Sequence, residues 1–258
     1  LPYILAIFVF DMTKIDENLF RDEHYLGRPA DLADKIVSRR IELTREIPRF
    51  FDKELELIEI GCGNGASISL IAGEIKSALG TDINNDHELE FKQFNNAFDN
   101  VAFQVLNIEK DLPSKKYDRL LSFEVIEHLL EEKSVANYAL CLKDGGEAVI
   151  SVPNKWWIFE IHGAKIPGFK TKRVPFLSWM PRFIHEPLAN ARIYSKPRIK
   201  KLMEDSGFEV KSMQYITAPL DVLKESTFKR FMLKYFFNSA TTHIPFMSVS
   251  ILVHAVKK

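Results

Sequence analysis

Residues 55–71 read Leu55-Glu-Leu57-Ile58-Glu59-Ile60-Gly61-Cys62-Gly63-Asn64-Gly65-Ala66-Ser67-Ile-Ser-Leu-Ile71. An apolar run, glycines at alternate positions and a second apolar run at helical spacing follow one another without interruption, which reads as strand, tight turn and helix start. Glycine admits backbone conformations closed to residues with a Cβ, so a turn built on Gly61, Gly63 and Gly65 can receive a ligand against bare amides at a helix N-terminus. The stretch is read as a cofactor cradle, the opening unit of an α/β sheet.

The glycines alone leave the cofactor open, because Gly61-x-Gly63-x-x-Ala66 also satisfies a relaxed dinucleotide fingerprint, with Asp82 near the acidic position expected downstream. Glu59 decides between the readings. Two residues before the first glycine, its carboxylate would repel the pyrophosphate of a nicotinamide or flavin dinucleotide. S-adenosylmethionine presents an ammonium, a carboxylate and a sulfonium in that region, and an acid attracts the first of these.

From about residue 54 onward the chain resembles the class I S-adenosylmethionine-dependent methyltransferases. The glycine loop Glu59 to Gly65 is one mark, and Ala78-Leu-Gly-Thr-Asp82-Ile83 is a second. In the family the second strand ends in an acid that binds both ribose hydroxyls, a role the resemblance assigns to Asp82, with Ile83 beside it. In Val105-Leu-Asn107-Ile108-Glu109 an Asn stands where many relatives carry the Asp that holds the adenine amino group, and its amide oxygen can accept the same bond. Tyr117-Asp-Arg-Leu-Leu-Ser-Phe123-Glu124-Val-Ile-Glu127-His128-Leu resembles the fourth strand and following loop of the small-molecule, quinone-biosynthesis subgroup, with Phe123 and Glu124 expected to flank the methionine portion. The resemblance implies a Rossmann-like, doubly wound sheet of seven strands in the order 3-2-1-4-5-7-6 with strand 7 antiparallel.

Composition is consistent with one enzyme domain. The 258 residues are 46% hydrophobic, enough for a single large core. Lys plus Arg equals Asp plus Glu at 35 each, so no overall basic field gathers nucleic acid, and none is expected as a partner. Cys62 and Cys141 lack metal-ligand spacing and disulfide density, which points to a reducing, cytoplasmic setting with no metal; Cys62 is read as a small packing residue rather than a reactive thiol. Residues 1–10 are strongly apolar but too short to span a bilayer, with neither a cationic region before them nor a cleavage site after, so they are not expected to be a complete targeting signal. Both a longer upstream extension and a start at Met12 stay open.

Periodicity divides the chain into a helical cap (1–53, with a helix over 31–51), a cofactor-binding core (54–153), an insertion (154–194) and a C-terminal part of the sheet (195–258). Helices are expected over 84–98, 133–142 and 195–206, and strands over 101–106, 147–152, 208–216 and 246–256. In the 84–98 helix, Phe91, Phe94 and Phe98 form an apolar stripe read as core. The insertion is aromatic and stiffened by prolines, and at the carboxyl ends of the strands it should roof an acceptor site, with Trp156, Trp157, His162, His185, Arg192 and Tyr194 as lining candidates. A surface insertion with its own small core is the plainer alternative.

Methyl transfer from a sulfonium needs positioning and dehydration more than covalent help. A hydroxyl acceptor also needs a base. His128 is the nearest candidate, oriented by Glu127, with His162, His185 and Glu186 as alternatives. The aromatic insertion, together with the resemblance to quinone-pathway enzymes, favours a small or lipid-linked acceptor methylated on oxygen before carbon or nitrogen, and glycan-linked or secondary-metabolite hydroxyls fit as well. Residues 220–237 mix aromatics with lysines and an arginine, a composition suited to peripheral membrane contact, though packing against the sheet is the preferred reading. A cofactor-binding protein without catalysis and an NAD(P)-dependent oxidoreductase are the retained alternatives; oligomeric state is not legible.

Overall fold

The computed structural model describes residues 34–160, 162–164, 174–220 and 223–258. Residues 1–10, Met12, the beginning of the expected cap and part of the insertion lie outside them. In chain order the elements are α1 (Lys35–Arg45), β1 (Glu56–Ile60), α2 (Ala66–Ile71), β2 (Ser77–Asp82), α3 (His87–Phe94), β3 (Val101–Val105), β4 (Tyr117–Phe123), α4 (Ala136–Leu140), β5 (Leu142–Pro153), α5 (Arg182–Leu188), α6 (Lys196–Asp205), β6 (Phe208–Thr217), α7 (Thr227–Tyr235), β7 (Thr241–Thr242) and β8 (Ser248–Lys257).

All the strands join one sheet in the order β3-β2-β1-β4-β5-β8-β6-β7. The first five pair in parallel, and β8 runs antiparallel between β5 and β6. This is the expected 3-2-1-4-5-7-6 arrangement with one correction: the described residues hold eight strands, because Thr241 and Thr242 pair with Ile216 and Tyr215 on the β6 edge.

Strand alternation builds the core on both faces. Ile58, Leu120, Ile150 and Val253 point to one side, where they meet Tyr138, Ile199 and Met203. Their neighbours Leu57, Leu121, Val149 and Leu252 point to the other, against Ile41 of α1, Ile68 and Ile71 of α2 and Phe91 of α3. Burial on both faces explains why these strands read as continuous apolar runs.

Several boundaries differ from the sequence reading. α1 stops at Arg45, ahead of Pro48, and α3 is confined to His87–Phe94, where Phe91 alone of its aromatics is fully buried. The expected helix over 133–142 is a 3-10 turn, Glu132–Val135, leading into the short α4. Asp144-Gly145-Gly146, just past the expected helix end, lies inside β5, beside a shift in the β4–β5 register between Tyr117 and Arg119. The glycines supply a local bend, since Gly145 has φ +73°.

A third apolar cluster joins Trp157, Ile158 and Phe159, just after β5, to Leu220, Leu223, Met232, Phe237 and Met247. Asn154 ties the two segments together by donating from Nδ2 to the carbonyls of Pro245 and Ser248 at 2.7 and 2.8 Å. The start of the insertion and α7 thus form one cap, to which α1 is fixed by Arg39 donating to the Thr217 and Phe237 carbonyls.

Candidate active site

The ends of β1, β2, β4 and β5 meet at one edge of the sheet, the crevice where open α/β sheets bind ligands. The glycine turn there is held by its own bonds. Gly61 and Cys62 both donate to the Thr81 carbonyl, Gly65 donates to Cys62, and Gly63 donates to Asp82 Oδ2 at 2.9 Å. The expectation of bare amides is therefore corrected at these four positions: the donors shape the turn. Gly61 and Gly65 are also demanded by packing. With φ +72° and +77°, a Cβ would stand 2.3 Å from Val125 Cγ2 at the first and 2.4 Å from the Phe91 ring at the second.

Asp82, half-buried at the end of β2, accepts from the amides of Gly63 and Asn84, one on each oxygen. An ionised carboxylate has about four acceptor positions, so its remaining lone pairs are available to a pair of ribose hydroxyls. Exposed Ile83 follows directly. Asn107 is more committed than expected: its Oδ1 accepts from the Glu109 amide, folding the turn beside buried Ile108. Cys62 is buried, and burial pushes its thiol well above the ordinary range, in keeping with a packing role.

Glu59 is 2% exposed, and burial pushes its carboxyl up to about 8 against the opposing influence of a Ser67 hydrogen bond and the Arg40 charge. Its Oε2 is buried without a hydrogen-bond partner. A buried acceptor left unsatisfied is costly, and an ammonium group removes the cost by donating a proton and a charge. The residues therefore fit S-adenosylmethionine: Glu59 for the α-ammonium and Asp82 for the ribose.

A second set of groups gathers after β4. Glu124 adopts φ +57°, a left-handed conformation uncommon outside glycine, and is fixed there from three directions. Its amide donates to the Ser151 carbonyl, while its Oε1 accepts from Ser151 Oγ at 2.8 Å and pairs with Arg40 Nη2 at 2.9 Å. Arg40 comes from the buried face of α1 and also lies over the Phe123 ring, 5.7 Å from its centroid. The sequence reading missed it, although a cation at position 40, amid the apolar stripe of Ile36, Leu43 and Ile47, is a signal for a buried partner.

Glu127 is fully enclosed, and neither of its carboxyl oxygens has a hydrogen-bond partner. Burial first, and the neighbouring Glu124 charge second, push its proton affinity well up. His162 Nε2 stands 3.5 Å from Glu127 Oε1, and the His128 and His162 rings meet edge to face at 5.1 Å. Glu127, His128 and His162 bring one donor atom each within 4.8 Å of one another, the one group among the described residues close enough to hold a metal ion, which the sequence spacing had not indicated. Burial, with His162 and Arg192 adding, drives His128 down to about 3, so its imidazole is neutral around pH 7.

A cavity of about 250 Å³ opens onto this cluster, lined by Glu127, His128, Leu129, Leu130, Glu186, Asn190, Ala191 and Arg192. Arg192 spans its wall, with its guanidinium donating to the Leu129 and Leu130 carbonyls. Of the expected lining residues, His162 and Arg192 reach the cluster. Trp156 is 41% exposed, with Lys155 over its ring, and is not among the lining residues. Three further assignments are corrected. Trp157 belongs to the third apolar cluster, Tyr194 is fully buried in the main core, and His185 is fully buried against Glu160 at 2.5 Å. None of the three faces the cavity, because packing consumes the aromatic surface that the sequence could not orient. Glu160, absent from the sequence reading, joins that pair to His162, whose Nδ1 lies 3.8 Å from its Oε1. A second cavity, about 270 Å³, lies between the end of α1 and the β6–β8 strands and contains none of these groups.

The family profile described as "Methyltransferase domain" matches residues 34–213, and the chain belongs to that family. The class that fold and site define is the class I S-adenosylmethionine-dependent methyltransferases, which leaves no ground for the dinucleotide alternative. The ubiquinone biosynthesis O-methyltransferase of Rickettsia canadensis is 25% identical over 62% of this chain and 65% of its own length. A protein of Mycolicibacterium smegmatis, named a probable S-adenosylmethionine-dependent methyltransferase, is 27% identical over 60% of this chain and 52% of its own. The matched region thus spans less than two thirds of these relatives. Among solved structures, an S-adenosylmethionine-dependent methyltransferase from Mesorhizobium loti superposes with a TM-score of 0.57 at 13% identity, covering 88% of this chain and all of the other, a likeness of fold.

Proposed function

We propose that this methyltransferase, whose cofactor is S-adenosyl-L-methionine, methylates a hydroxyl oxygen of a small or lipid- or glycan-linked acceptor held in the cavity beside Glu127. The observation that carries the reading is the buried carboxyl of Glu127, a residue that lines the cavity, with neither oxygen hydrogen-bonded. Bound, the cofactor supplies an activated methyl group on a sulfonium. The chain's own residues position the acceptor, exclude water and take the hydroxyl proton. Glu127 is the proposed base, in place of His128, because a group held near pKa 3 has little affinity for a proton at neutral pH. A raised carboxyl serves this task once ionised, with the His162 ring 3.5 Å from its Oε1. Glu124 and Arg40 hold the wall on the cofactor side, and neutral His128 and Arg192 orient the acceptor. The Rickettsia relative's name, an O-methyltransferase of ubiquinone biosynthesis, supports an oxygen nucleophile on a small molecule.

The test is transfer of labelled methyl groups into a cell extract separated into lipid, glycan, protein and RNA fractions. Label should enter lipid or small-molecule fractions, and Glu127→Gln should cut it by at least ~10²-fold while cofactor binding stays normal. Label confined to protein or RNA overturns the acceptor class. Full activity in Glu127→Gln removes the base assignment, and absence of any transfer beside intact cofactor binding favours a non-catalytic binder.

A further inference from the structure

Helix α7 has two unlike faces. Met232 and Lys229 are buried, Phe228 and Leu233 pack against the third apolar cluster, and the N-terminus is capped by Ser226 Oγ accepting from the Lys229 amide at 3.0 Å. That face satisfies the packing explanation for residues 220–237. The other face does not. Phe231 is 50%, Tyr235 58% and Phe236 44% exposed, and they stand together, the Phe231 ring 4.9 Å from Tyr235 and 6.1 Å from Phe236. Core packing gives no reason to hold three aromatic rings side by side in water.

Among residues 223–238 the exposed charge around them is mostly positive. Lys224, Arg230 and Lys234 are exposed, and Lys234 Nζ lies 5.2 Å from the Tyr235 ring centroid. Glu225, the one acid among residues 223–238, is tied to Lys229 at 2.6 Å. Residues 230, 231, 234 and 235 recur at helical spacing, so the cations and rings share a side of the helix. Aromatics that accept partial burial, flanked by cations and, among residues 223–238, by a single acid already paired to a lysine, match the chemistry of an interface carrying anionic headgroups above hydrocarbon. No described helix is long and apolar enough to cross a membrane, so this face would rest on a bilayer.

We propose that the exposed face of α7 docks the protein on an anionic lipid bilayer, with Phe231, Tyr235 and Phe236 entering the headgroup region and Lys224, Arg230 and Lys234 contacting the phosphates. The same cluster that seats α7 contains Trp157 and Phe159 from the start of the insertion, so docking brings the cap over the strand ends to the membrane surface. The inference does not depend on which acceptor is methylated.

Sedimentation of the full chain with vesicles tests it, comparing pure phosphatidylcholine with phosphatidylcholine containing about a third phosphatidylglycerol. Binding should be confined to the anionic vesicles and weaken with salt. Each cation near such a surface contributes about fivefold, so R230E/K234E should weaken binding by at least ~25-fold. Phe231→Ser with Tyr235→Ser should leave only weak, salt-sensitive association. All four positions are exposed, so melting temperature and cofactor titration should match the parent protein and confirm that the variants fold. Equal sedimentation with both vesicle types, none with either, or binding indifferent to charge reversal overturns the proposal. Light scattering without lipid covers the rival occupant: a concentration-dependent dimer that these substitutions dissolve assigns the face to a second copy of the chain.

Discussion

In the cofactor-free protein Glu59 is held near pKa 8, so at pH 7 about nine tenths of it is protonated. An ammonium arriving at the unpartnered Oε2 favours the ionised form, and the proton must leave. Binding of S-adenosylmethionine at pH 7 should therefore release ~0.9 proton through this group, falling to ~0.5 at pH 8 and toward none above pH 9. Titration calorimetry in two buffers of different ionisation enthalpy reads the number directly. Ionising Glu59 at pH 7 costs about 1.4 kcal/mol for its one-unit gap, a cost that the arriving ammonium must offset. Glu59→Gln should abolish the release and weaken binding by at least ~tenfold, because the charge that meets the ammonium is gone. The same group acts on stability with a definite sign. Its folded pKa lies above the ordinary 4.5, so the contribution is complete below pH 4.5 and is lost as pH rises toward 8, with a slope approaching ~1.4 kcal/mol per unit. Glu59→Gln should flatten this loss and raise the melting temperature of the cofactor-free protein at pH 8. A wild-type titration whose heat is independent of the buffer at pH 7, or a variant that releases the same proton, would refute the argument.

Two further predictions concern the cradle. Asp82→Ala removes the acceptor for the ribose hydroxyls and for the Gly63 amide, so calorimetry should give at least ~tenfold weaker cofactor binding, and a chain that binds as before takes Asp82 out of the site. Gly61→Ala places a Cβ 2.3 Å from Val125 Cγ2 at a positive φ and should destabilise the protein by ~1–3 kcal/mol in denaturant melts. Val125→Ala should recover the steric part of that loss but not the backbone part, and a double-mutant cycle with no coupling would show that the contact is not what excludes a side chain there.

The strands were legible because, buried on both faces, they announce themselves as apolar runs, whereas their order came only from the family resemblance carried by the glycine turn and the segments after it. The two-residue β7 was not, since two threonines carry no periodic signal and owe their pairing to the exposed edge of β6. At the site, Glu59 could be named from its place two residues before the first glycine, and Asp82 from the resemblance of the second strand's end. Glu124, Glu127 and His128 could be named from their run along the chain, but their proton affinities could not, since those follow from enclosure by α1 and the insertion. Arg40 and Glu160 escaped because their partners lie far away in sequence. The aromatic insertion misled for a related reason: composition says that Trp157 and Tyr194 bury surface, not whether a ligand or the core receives it.

The placement of β8 has a bearing on how the chain is made. Ser248–Lys257 fills the gap between β5 and β6, so the sheet is completed from its middle by residues that leave the ribosome after the other seven described strands. Until they emerge, the finished cofactor half ends in the unpaired edge of β5, and β6 has no neighbour to join it to the rest. Such an intermediate offers two open hydrogen-bonding edges to any other nascent chain, and its closure relies on contacts distant in sequence, which form slowly. Vectorial synthesis thus leaves these strands most open to aggregation in the interval between the emergence of β6 and that of β8, and a lesion in β8 would be felt first as poor yield and only afterwards as lost activity.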